Sequence, residues 1–147
     1  MPRIERTAEV SWEGNLARGT GHISAGSGAF GELPYSLATR IAQPEGRTSP
    51  EELLAAAHAA CLTMSLAGEL TQAGTPPRRL DASCLIVMDE VEGKGHLVVA
   101  SELRVRADVP GLEAAILDEA VARADAGCPI STLIRGTATV ELAYELV

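Results

Sequence analysis

The residues of this chain that could do chemistry are three cysteines, a histidine and an arginine–glutamate pair. Cys61 follows His58 by three residues in an alanine-rich run, so on a helix the two project from neighbouring parts of one face. Cys128 stands between Gly127, which ends one helical pattern, and Pro129, which opens the next. Backbone N–H groups just beyond it favour a thiolate and lower its pKa from about 8.5. Cys61, in mid-helix, gains nothing from a helix dipole and needs a nearby cation. Arg40 is the candidate, and Glu51 can hold that arginine by a two-pronged hydrogen bond. The bland alternative is that free cysteines act as small buried hydrophobes. Spacing alone puts that alternative ahead, and Cys84, in phase with Ala82 and Ile86 on a strand, is left with it.

Other chemistries have less behind them. His58, Cys61 and Cys128 could make three metal ligands, but there is no C-x-x-C or H-x-x-x-H pair, and a buried histidine satisfied by one hydrogen bond is commoner. Gly26, Gly28 and Gly31 read as turns rather than a phosphate loop, and no serine–histidine–acid arrangement stands out.

The element that must position the cysteine pair is a long helix from Thr48 to about Ala73. Ser49 is its N-cap, Glu52 can complete a capping box, and Pro50 suits the first helical position. Glu51 and Glu52 place negative charge at the positive end of the dipole. Gly74 and Pro76-Pro77 end it. From Leu53 to Ala67 nearly every side chain is apolar or small on all faces, which predicts a helix buried all round. The run falls short of the roughly 20 apolar residues of a membrane span. Three strands precede it: Thr7 to Trp12, Gly19 to Ser24, and a short one over Tyr35 to Arg40. Arg40 would then sit close to the helix start. After it come a long strand from Leu80 to Val91, a turn at Glu92–Gly95, and a return strand from His96 to Val109. A helix over Leu112 to Ala126 follows, striped by Leu112, Ala115, Ile116, Ala120 and Val121. Ile130 to Ile134 is a short turn, and Gly136 to Leu146 is the last strand. This order predicts an α+β domain with antiparallel sheet over residues 1–147. A domain of this size can hardly cover every side of such a helix, so a homodimer with the helices at the interface is expected.

Composition excludes several classes of function. The net charge of −8 argues against nucleic acid and against an anionic membrane surface. Three cysteines do not suggest a secreted disulfide framework, and Met1 to Glu9 carries no signal segment, which suits a cytoplasmic protein.

Trp12-Glu13-Gly14, Pro34-Tyr35 with Thr39-Arg40, Ser49-Pro50-Glu51-Glu52-Leu53 leading to Ala57-His58-Ala59-Ala60-Cys61, and Gly127-Cys128-Pro129-Ile130-Ser131 together resemble the OsmC/Ohr family of osmotically inducible and organic-hydroperoxide-resistance proteins. The likeness spans the chain, and the His58–Cys61 run with Arg40 points to the OsmC branch. It implies an OsmC-like fold, with antiparallel sheets wrapped around long buried central helices in an intertwined homodimer. It implies a thiol-dependent peroxidase acting on organic hydroperoxides, and less well on hydrogen peroxide. Cys61 matches the peroxidatic cysteine, Cys128 the resolving one, and Arg40 and Glu51 the family's arginine and glutamate. Sulfur carries the electrons, so no cofactor or metal is needed, only an external dithiol reductant such as a lipoyl-type thiol. Leu62 stands where an aromatic is common, which bears on pocket shape. A rival from another class is a non-catalytic dimeric carrier or redox sensor. A third reading is a hydrolase or thiol transferase using Cys61 with His58.

Overall fold

The computed structural model describes residues 2–147. Its contacts group into two compact units, residues 1–53 and 54–147. One helix belongs to both.

The first unit carries a three-stranded antiparallel sheet in the order β1-β2-β3, from β1 (Ala8–Glu13), β2 (Thr20–Ala25) and β3 (Leu33–Tyr35). Trp12 and Tyr35 tilt against each other, ring centroids 5.6 Å apart. Both rings cross Gly21, where a Cβ would lie 2.3 Å from Tyr35 Cε1. The third strand is shorter than the sequence predicts, because the chain turns into a helix, α1 (Leu37–Ile41). Ser36 decides this. Its hydroxyl accepts from the Thr39 N–H while the Ser36 N–H donates to Thr39 Oγ1 at 3.0 Å, a reciprocal cap that outweighs the strand pattern. Arg40 is therefore a helical residue, not a strand residue.

The shared helix is α2 (Pro50–Gln72). Its start is as expected: Pro50 opens it and Ser49 Oγ accepts from the Glu52 N–H at 3.2 Å. The other half of the capping box differs, since the Glu52 carboxylate takes the Thr48 hydroxyl at 3.0 Å. Gly74, at φ +81°, turns the chain away after the last helical residues. By length and a mean hydropathy of 1.4, α2 meets a test of span-like composition that the core helix of a folded domain meets as well. It is not buried all round within the chain. Only His58, Leu62, Leu66 and Leu70 are buried, one residue per turn along a single stripe, and Met64 is 77% exposed.

The second unit adds β4 (Arg79–Val91) and β5 (Gly95–Asp108), an antiparallel hairpin with an irregular register at Val87/Met88. Then come α3 (Ala114–Gly127), α4 (Pro129–Arg135) and β6 (Thr139–Leu146). The predicted turn at Ile130–Ile134 is thus a helix. The sheet order is β4-β5-β6, and β6 runs parallel to β5, so the sheet is mixed rather than antiparallel. The cause is topological: α3 and α4 form a crossover long enough to bring the chain back to the same end. Ser101, Leu103, Val105 and Ala107 point inward from β5 in strict alternation. They meet Leu62, Leu66 and Leu70 of α2 and the buried stripe of α3, which is Leu117, Ala120, Val121 and Ala124. That stripe lies one step round from the predicted one, leaving Ile116 39% exposed. Leu66 is 1% exposed in the middle of this cluster. Leu66→Ala should lower the unfolding free energy by about 3 kcal/mol, read from the urea midpoint at unchanged slope.

Candidate active site

Two elements of the second unit bring the two cysteines together. The apolar stripe of α2 fixes its rotation about its axis, and Cys61 stands next to Leu62 of that stripe. Cys128 closes α3 and caps α4, in extended conformation at φ −82°, ψ 111°. Pro129 takes the first helical position, where its missing N–H costs nothing. The result is a Cys61 Sγ to Cys128 Sγ separation of 3.2 Å between residues 67 apart in sequence. Both are free thiols, Cys128 wholly buried and Cys61 half-buried. A bond needs about 2.05 Å between the sulfurs, so closure asks for a movement of roughly 1 Å.

Their acidities differ. Burial pushes the Cys61 thiol up, its contact with Cys128 pushes it further, and the Ile130 backbone only partly offsets this. Burial also pushes Cys128 up. There the Ser131 backbone N–H, the Ser131 hydroxyl, Cys61 and the Ile130 backbone outweigh burial and hold the thiol below its ordinary value. The Ser131 N–H lies 3.4 Å from the sulfur. This is the effect expected of a cysteine at a helix start. Within the pair, Cys128 is the more acidic thiol and Cys61 the less acidic.

His58 is fully buried and uses both ring nitrogens, Nδ1 at 2.7 Å from Ser101 Oγ and Nε2 at 2.8 Å from Ser131 Oγ. The sequence reading allowed it one partner. With both nitrogens committed to serines, His58 forms no dyad with Cys61, and the hydrolase or transferase reading loses its base. Burial lowers its pKa; Asp125 raises it and Arg135 lowers it. Cys84 is more than filler: its sulfur lies 3.2 Å from Ser101 Oγ. Ser101 and Ser131 were missed as partners, although a histidine inside an alanine-rich helix demands polar company. Among the described residues no group of His, Cys, Asp and Glu could hold a metal ion.

Arg40 and Glu51 also meet, but in the first unit. Arg40 Nε donates to both carboxylate oxygens of Glu51, at 2.9 and 3.1 Å, and Nη2 adds a further bond. This is the fork geometry expected of the two residues. The hydrogen bond to Glu51 raises the Arg40 pKa further, so the guanidinium stays charged. Leu62, the departure from the family pattern, is 1% exposed and points into the core.

The OsmC-like protein family model matches residues 43–143. The chain belongs to the OsmC family. Peroxiredoxin OsmC of Escherichia coli (strain K12) and of Shigella flexneri are each 36% identical over 143 residues, covering 97% of this chain and 97% of theirs. The organic hydroperoxide resistance protein OhrB of Bacillus subtilis is similar in structure, with TM-score 0.73 at 25% identity, covering 95% of this chain and 98% of that one. An organic hydroperoxide resistance protein OsmC from Legionella pneumophila shares the fold, with TM-score 0.74 at 22% identity, over 97% of this chain and 99% of that one. These neighbours place the two small sheets and their helices in the OsmC fold.

In this OsmC-family chain the acidity order is measurable without any substrate. In Cys61→Ser, absorbance at 240 nm should rise in two steps with pH. Cys128 ionises first, below the ordinary thiol range, and Cys84, pushed up by burial, ionises above it. A folded pKa below the unfolded one means that Cys128 adds stability as pH rises towards the unfolded value, and that this is lost as pH falls through the folded one. Two coincident steps in the ordinary range would contradict the geometry.

Proposed function

We propose that this cysteine-based peroxidase of the OsmC family reduces organic hydroperoxides, and hydrogen peroxide less well, through a Cys61 sulfenate and a Cys61–Cys128 disulfide. The observation that carries the reading is the 3.2 Å approach of the two sulfurs. Cys61 is the more exposed sulfur, so it is the one a hydroperoxide reaches. Its thiolate attacks the distal oxygen, the O–O bond breaks, and the alkoxide leaves and takes up a proton. Cys128 then attacks the sulfenic sulfur, hydroxide leaves as water, and the disulfide forms. An external dithiol, a lipoyl-type one being our reading, restores both thiols by exchange.

The acidity order within the pair gives Arg40 its proposed task. Burial and the neighbouring thiol hold Cys61 the less acidic of the two. A cation is needed to favour the Cys61 thiolate and then to stabilise the alkoxide. The family resemblance assigns this to Arg40, and the bidentate hold of Glu51 is what such an arginine requires.

A homodimer is part of the proposal. Met64 on α2, Val10 on β1 and Leu133 on α4 are 77%, 60% and 69% exposed, and all six residues of β1 are exposed. Two described surface depressions lie elsewhere, one over Ser83, Arg104 and Tyr144 and one near Lys94 and Gly136, and neither is lined by Cys61. A second copy would cover these apolar side chains and complete a pocket beside Cys61. We read residues 1–147 as one OsmC-like domain of a cytoplasmic enzyme.

Consumption of cumene hydroperoxide with a dithiol tests the reading. The wild type should turn over, Cys61→Ser should lose all activity, and Cys128→Ser should accumulate a sulfenate at Cys61 that dimedone traps. No turnover by the wild type would favour the carrier or sensor; normal cycling by Cys128→Ser would remove the resolving role. Arg40→Ala should slow sulfenate formation about a hundredfold, and its pH dependence should move upward. Sedimentation should give twice the chain mass of 15.3 kDa.

A further inference from the structure

The buried stripe of α2 begins with a histidine. His58, Leu62, Leu66 and Leu70 are its covered positions, and a leucine at the first of them would pack there without burying a polar atom. The ring is instead held at both ends. Nδ1 lies 2.7 Å from Ser101 Oγ on β5, and Nε2 lies 2.8 Å from Ser131 Oγ on α4. All three residues are 0% exposed. A serine hydroxyl can donate or accept, so a neutral ring is satisfied in either tautomer. The tie therefore does not depend on which nitrogen carries the proton. The proposed reaction gives this ring no part.

The tie repeats the spacing of the two thiols. His58 and Cys61 are three residues apart on α2. Cys128 and Ser131 are three apart at the start of α4, where Cys128 is the cap and the Ser131 N–H lies 3.4 Å from its sulfur. Residues at that spacing are neighbours on a helix surface, about 5–6 Å apart at Cβ. Two rungs thus join the same two elements side by side, His58–Ser131 at 2.8 Å and Cys61–Cys128 at 3.2 Å. The first rung is a hydrogen bond with no redox chemistry of its own. The second must close and reopen in each proposed cycle. The far end of α4 has a separate tie, from Arg135 to Asp125 of α3, so the turn that His58 holds is the one beside Cys128.

We propose that His58 is a positioning residue for the disulfide: anchored on β5 through Ser101, it holds the first turn of α4 through Ser131 and so keeps Cys128 within reach of Cys61. The inference rests on the reading of Cys61 and Cys128 as disulfide partners and adds what keeps them in register. Apolar burial sets the rotation of α2, but it is non-directional. A hydrogen bond between buried atoms constrains distance and angle together. That precision bears on the chemistry, because a misplacement of about 1 Å between reacting groups can cost about a hundredfold. A leucine at position 58 would fill much the same volume and leave both serine hydroxyls without this partner.

The test uses no peroxide, so failure of the hydroperoxide reading leaves it standing. The parent is the full-length chain with Cys84→Ser, which keeps Cys61 and Cys128 as its two cysteines. It is equilibrated with reduced and oxidised glutathione. As the Cys61–Cys128 bond forms, the two thiols give two electrons and two protons to glutathione disulfide, which leaves as two thiols. Alkylation of the remaining free thiols and mass measurement give the equilibrium constant. His58→Leu and Ser131→Ala, the latter retaining its backbone N–H, should each lower that constant about tenfold. Ser101→Ala should lower it by less. Side-chain length separates the two ends of the ring. The amide of His58→Gln reaches the Nε2 position, and that of His58→Asn the Nδ1 position. His58→Gln should restore most of the constant, and His58→Asn should stay with His58→Leu. Circular dichroism confirms the fold of each. A constant unchanged in folded His58→Leu and Ser131→Ala overturns the proposal, and so does rescue by His58→Asn equal to that by His58→Gln. A parent that forms no Cys61–Cys128 disulfide overturns the disulfide reading as well, whereas a parent that forms it and is matched by the variants overturns this inference alone.

Discussion

The contact between two sulfurs depends on how one helix rotates about its own axis. Leu62, Leu66 and Leu70 recur every four residues along α2 and fill the space between β5 and α3. Burying three leucines at this depth is worth several kcal/mol, far more than any polar contact at the site. Once they are seated, the angular position of Cys61 beside Leu62 is no longer free. The crossover through α3 and α4 fixes the other sulfur, since Cys128 is the single residue between two helices and belongs to the cap of the second.

The same packing makes the two thiols unequal. Each is pushed up by burial, and only Cys128 has N–H and O–H donors arranged to reverse it. That asymmetry comes from the corner between α3 and α4 and from nothing intrinsic to cysteine. It divides the labour in a proposed two-thiol cycle: one thiol is the more acidic, and the other is the one a cation would have to help. Arg40 and Glu51 pair in the first unit through two hydrogen bonds from Nε.

Single-chain burial also says what the chain leaves undone. An alanine-rich helix with one covered stripe and an edge strand exposed at all six residues are poor outer surfaces for a monomer. The proposed homodimer would cover them. The mixed sheet has a related logic: β6 adds to β5 in parallel because two helices intervene, and those helices are what carry Cys128.

Local signals along the sequence determined much of this. Ser49, Pro50 and Gly74 bounded α2 because caps and breakers act over a few residues. The alternation of β5 named its inward face, and the Gly-Cys-Pro order foretold an acidic Cys128, since a helix start is a local electrostatic feature. The Arg40–Glu51 pairing was legible from charge type and nearness to the helix. The tertiary structure alone decided the rest. It chose which stripe of an all-apolar helix is covered, because composition that is uniform round a helix carries no angular information. It set β6 parallel, because strand direction depends on where a crossover lands. It joined Cys84, Ser101, His58 and Ser131 into one line, because partners 43 and 73 residues from His58 leave no periodic trace in a sequence and meet only when distant elements pack.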